Sequence, residues 1–153
     1  MKISQISREW WDSESNQAQY ESVDSPDEKE VAKAVKFLKS ESGGVTLNTC
    51  DESGTQVGYI LIQGMAGKYF LVQSEHNNDQ FLLVDTQKDV PKSPVDETLD
   101  ILGNECLEHN TVNDLDGIMK SVKSFLKSGA FKDFDSYSWI EVNKGTNAHR
   151  FNY

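Results

Sequence analysis

The chain has 153 residues, of which 37% are hydrophobic and 26% charged, and its formal net charge is −10. That length and composition suit one domain with a real core and exclude a disordered tail, a collagen or a disulfide-stapled miniprotein. No apolar run approaches the ~20 residues a membrane helix needs. The start, Met1-Lys2-Ile3-Ser4-Gln5-Ile6, turns polar before a signal-peptide core develops. The two cysteines, Cys50 and Cys106, have no close spacing and fit a reducing compartment. The expectation is a cytoplasmic protein without cofactor or metal.

In chain order, Ile3 to Trp11 reads as an edge strand ending in Trp10-Trp11, and Asp12 to Asp24 as a polar loop. Ser25-Pro26-Asp27-Glu28 then signals a helix start. Ser25 can cap, Pro26 suits the first turn and Glu28 completes a capping box. Val31, Ala34, Val35 and Leu38 fall three or four apart on one face, and Gly43-Gly44 stops the helix.

Four short β-branched or aromatic runs follow: Val45 to Cys50, Val57 to Gln63, Lys68 to Ser74 and Gln80 to Asp85. The gaps between them are too short for a crossover helix, so successive strands must be antiparallel. Tyr69, Leu71 and Gln73 alternate with Phe70 and Val72. That pattern predicts a strand covered on both faces near its middle, on one side by a helix. A fifth strand is expected near Thr98–Leu102, after the loop holding Pro91 and Pro94. Residues 103–112 read as irregular, and Asn113 caps a second helix. Leu115, Ile118, Met119, Val122, Phe125 and Leu126 form its apolar stripe, with Gly129 as exit. The run Trp139 to Val142 follows, and residues 143–153 read as a frayed tail. The predicted architecture is α+β: a single domain, 1–153, with an antiparallel meander of about five strands against two amphipathic helices.

Chemistry is sparse. Cys106 and His109, three apart, make the best thiol–imidazole pair, but no Gly-rich elbow or second close ligand pair accompanies them. Gly64-x-x-Gly67-Lys68 lies between strands and lacks the spacing of a phosphate loop, so it reads as a hairpin turn. No catalytic residue is assigned.

Charge is the louder signal, and it is uneven: residues 74–116 hold eleven acids against two bases. Such a surface repels nucleic acid and anionic lipid, which need a positive face, and attracts a basic protein. The acids of this block are the expected contacts: Glu75, Asp79, Asp85, Asp89, Asp96, Glu97, Asp100, Glu105 and Glu108. Trp10 and Trp11 are alternative anchors, one of them belonging to the core because adjacent strand residues point to opposite faces.

The ordered features resemble the first-numbered immunity family of bacterial polymorphic toxin and contact-dependent growth inhibition systems. The resemblance runs from about Pro26 to Val142. It rests on the capped helix, the Gly64-Met65-Ala66-Gly67-Lys68-Tyr69-Phe70-Leu71-Val72 hairpin and Gln80-Phe81-Leu82-Leu83-Val84-Asp85. Phe125-Leu126-Lys127-Ser128-Gly129 and Trp139-Ile140-Glu141 complete the set. It implies a non-enzymatic immunity protein that binds a cognate cytotoxic effector domain, a basic nuclease or nucleic-acid deaminase, and occludes its cleft. No functional residue carries over by motif, and an acidic adaptor or secretion-chaperone-like module stays open as the alternative.

Overall fold

A computed structural model describes residues 2–65, 67–75, 79–86, 98–101, 104–128 and 137–142. In chain order the elements are β1 (Lys2–Asp12), β2 (Gln17–Asp24), α1 (Glu28–Phe37), β3 (Gly43–Cys50), β4 (Gln56–Met65), β5 (Lys68–Ser74) and β6 (Gln80–Asp85). Then come β7 (Thr98–Ile101), β8 (Asn104–Leu107), a short 3-10 turn at Glu108–Asn110, α2 (Leu115–Ser128) and β9 (Tyr137–Glu141). Among the described residues the main sheet has seven strands in the order β2-β1-β3-β4-β5-β6-β9, and every neighbouring pair is antiparallel. β7 and β8 form a separate two-stranded hairpin.

The architecture is α+β with two helices, as predicted, but the sheet is wider than about five strands. The N-terminal segment accounts for much of the difference. Residues 1–24 are not an edge strand and a loop: β1 is an inner strand between β2 and β3, and Gln17–Asp24 pairs with it through a turn at Asp12. Asp12 holds that turn, accepting from Ser15 Oγ at 2.6 Å and Glu14 N–H at 3.1 Å. The hydroxyl bond and the backbone bonds keep its carboxyl below the ordinary carboxylate pKa. The β4–β5 turn is as expected, with Met65 paired to Lys68 and Gly67 at a φ of +80° that favours glycine.

Other boundaries shift by local chemistry. Asp27, not Ser25, caps α1: its side chain accepts from Glu30 N–H while Glu30 Oε2 accepts from Asp27 N–H, both at 2.8 Å. Gly43 and Gly44 begin β3 rather than ending the helix. Asp114, not Asn113, accepts from the Gly117 N–H at the start of α2, and Asn113 Oδ1 instead accepts from the Tyr137 hydroxyl at 3.3 Å. Residues 104–107, expected to be irregular, form β8 and make a hairpin with the predicted fifth strand. Gly129 and the expected frayed tail, 143–153, lie outside the described residues.

Alternation along the strands builds two cores. On one face, Ile6, Val45, Leu47, Ile60, Ile62, Leu71 and Leu83 pack under Val31, Val35 and Leu38 of α1 and Ile118, Val122 and Phe125 of α2. On the other, Phe70, Val72, Leu82 and Val84 are covered by Ile101 and Cys106 of the β7–β8 hairpin and by Val142. β5 is thus covered on both faces. The outer faces of β1 and β2, three and four positions from β5 in the sheet, carry Trp11 and Tyr20, the exposed large apolar side chains among the described residues. Among the described residues, no helix is long and apolar enough to cross a membrane.

Candidate functional site: the outer face of the N-terminal hairpin

Trp10 and Trp11 separate as adjacent strand residues must. Trp10 turns to the helix side and meets Phe37 edge to face, ring centres 5.3 Å apart. Trp11 turns to the outer face, where 48% of its surface is accessible. In the β1–β2 ladder Trp11 pairs with Ala18 and Glu9 with Tyr20. The two aromatic side chains are therefore diagonal neighbours on one face, and Tyr20 is 67% exposed. Beside Tyr20 the same face sinks into a depression of about 130 Å³ bounded by Arg8, Glu9, Thr46, Leu61 and Gln63. Exposed aromatic side chains next to a concavity are the composition of a protein-binding surface.

The acidic block divides. Glu75 and Asp79 close the β5–β6 turn, with Glu75 N–H donating to the Asp79 carbonyl at 2.9 Å. Asp85 sits at the other end of β6, opposite Tyr137 of β9. Strand rise places it about 17 Å or more from that turn. Glu108 is near the Asp85 end, in an ion pair with Lys68. Asp100 and Glu105 face each other across the β7–β8 ladder. Asp85, Asp100 and Glu108 are already engaged within the chain. Asp89, Asp96 and Glu97 lie outside the described residues. The described acids of the block therefore occupy two ends of the sheet and a separate hairpin, not one face. Tyr20 escapes a reading by pattern because its strand is polar on both sides, although Trp11 was legible as an anchor.

Cys106 is a core residue, 1% exposed, and burial raises its thiol pKa to about 11. At neutral pH it is a protonated packing group rather than a nucleophile. His109 is buried as well, on the 3-10 turn.

Residues 5–133 match the model of a family of unknown function, DUF6911. No curated protein matches the chain. A crystal structure of a hypothetical protein from Neisseria gonorrhoeae is similar in fold, with a TM-score of 0.54 at 12% identity over 86% of this chain and 92% of that one. The match to the family model spans most of the sequence, and the chain belongs to the DUF6911 family.

Proposed function

We propose that this protein is a non-enzymatic inhibitor of the immunity type, which binds a basic cytotoxic effector domain, a nuclease or nucleic-acid deaminase, and occludes its cleft. The observation that carries the reading is the exposed Trp11–Tyr20 pair beside a depression, in a chain of net charge −10. Aromatic anchors supply the desolvated centre of a tight interface. The surrounding negative field steers a phosphate-binding cleft toward it and speeds encounter. The ordered resemblance to an immunity family points the same way, and the buried, protonated Cys106 removes the best thiol from consideration as a nucleophile.

A native pull-down from the producing cell, repeated at raised salt, tests this directly. The expected result is one stoichiometric basic domain whose association slows steeply with salt. Expressed alone, that domain arrests growth, and co-expression of this chain restores it. A set of weak partners, or a partner harmless to the cell, overturns the inhibitor reading in favour of an adaptor.

A further inference from the structure

Among the described residues, β2 is an outer strand with no strand paired along its free side. Ser25 N–H donates to the Ser4 carbonyl at 2.7 Å, and the pairs from Gln5–Asp24 to Asp12–Gln17 run without a break. Bonded and non-bonded pairs alternate along an antiparallel ladder. Val23, Glu21 and Gln19 thus turn their backbone groups toward β1, whereas Ala18, Tyr20, Ser22 and Asp24 turn theirs outward. All four are exposed. Proteins ordinarily blunt such an edge with Lys, Pro or a bulge, and Gln17–Asp24 has none of these.

Next to this edge, on the helix side, a groove of about 130 Å³ opens between β2 and α1. Ile6, Val23 and Ala34 give it an apolar floor, and its charged margin is Lys33, Glu30 and the Arg8–Glu21 ion pair. A strand added to β2 sets every second side chain toward that groove. The charge of the occupant follows from the surroundings. Residues 1–30 hold eight acids against three bases, none of the bases in β2 or its turn. A second copy of the chain would bring the same acids to the same edge and double a net charge of −10.

We infer that β2 takes up an extended segment of a basic partner as an additional outer strand, with an apolar side chain in the groove over Val23. The inference rests on the partner-binding reading above, but not on the partner being toxic. Backbone pairing supplies affinity, the apolar floor of the groove takes every second side chain, and the acidic excess of residues 1–30 favours cationic side chains between them.

The probe is a capped eight-residue peptide of alternating lysine and valine, with a glutamate–valine peptide as its charge control. Binding of the lysine peptide is expected to slow amide hydrogen exchange at least tenfold at Ala18, Tyr20, Ser22 and Asp24. Gln19 and Glu21, already bonded to β1, should change little, and the glutamate peptide should not protect any of them. Ser22→Pro deletes an outward N–H that the fold does not use and should weaken binding at least tenfold, whereas Ser22→Ala should not. The inference is overturned if the lysine peptide does not bind at millimolar concentration, or binds without protecting these amides. Concentration-dependent protection of β2 in the protein alone, with a dimer in sedimentation, overturns it in favour of a second copy. A toxic partner whose complex leaves β2 unprotected sinks strand addition while the inhibitor reading stands; peptide protection with no toxic partner does the reverse.

Discussion

The Arg8 guanidinium lies 4.6 Å from the centre of the Phe37 ring and 4.9 Å from that of Trp10, so one cation joins β1 to the end of α1. Its Nε also donates to Glu21 Oε2 at 2.6 Å. The Glu21 side chain is about half exposed, which leaves that ion pair worth little on its own. The two ring contacts carry most of the effect. Arg8→Ala is expected to lower stability by about 1–2 kcal/mol, and Arg8→Lys by less, since it keeps the charge but loses the planar stack. Urea midpoints of the two variants against wild type measure both.

The two glycines at the start of β3 differ sharply. A Cβ on Gly43 would lie 2.2 Å from the Glu9 carbonyl oxygen, whereas one on Gly44 would meet nothing closer than 3.7 Å. Gly43→Ala should therefore push β1 from β3 and destabilise by about 1–3 kcal/mol, with Gly44→Ala close to neutral. Equal melting temperatures for the two variants would contradict this account of the β1–β3 contact.

Asp27→Ala removes the α1 cap and should cost about 1 kcal/mol, while Ser25→Ala should leave the melting temperature unchanged. Ser25 holds a positive φ of 50° outside the helix. Ser-Pro-Asp-Glu contains two acceptable caps two residues apart, and only the reciprocal bond with Glu30 selects Asp27.

Cys106 offers a pH test. Its folded pKa of about 11 lies above the ordinary 9.0 because burial opposes the thiolate. A raised folded pKa contributes stability that is intact below the unfolded value and lost as pH rises through the folded one. Stability should hold up to about pH 9 and decline toward pH 11. In a Cys50→Ala background, a thiol reagent at pH 8 should leave Cys106 untouched in the native protein and label it in urea. Rapid native labelling would place the thiol at the surface.

On the outer face, Trp11→Ala and Tyr20→Ala should each leave the fold within about 0.5 kcal/mol of wild type and weaken partner binding at least tenfold. Combined reversal of Asp85, Asp89, Asp96 and Asp100 to Lys should slow association at low salt with a smaller effect on dissociation. If the aromatic variants bind normally and the charge reversals alone abolish the complex, the interface belongs to the acidic segment instead.

Which elements the sequence discloses follows from burial. β5 and β6 have the predicted limits, Lys68–Ser74 and Gln80–Asp85, because both of their faces are apolar and their turns are polar. β2 has the hydropathy of a loop because Gln17, Ala18, Tyr20, Glu21 and Ser22 are exposed on both faces. Nothing in its hydropathy marks a strand; it is held by the Asp12 turn and by pairing with β1. The same cause hid half of the candidate site: Tyr20 belongs to that strand. The acidic block looked continuous in sequence, but β6 is long enough to carry Asp85 away from Glu75 and Asp79.

β9 is the outer neighbour of β6, and it emerges from the ribosome more than fifty residues after its partner, since Asp85 meets Tyr137. Until then Leu82, Leu83 and Val84 form a bare apolar edge on a growing polypeptide, the kind of surface that captures other nascent chains. A chain truncated before Tyr137 keeps that edge open, and light scattering on it is expected to show aggregation that the full chain does not.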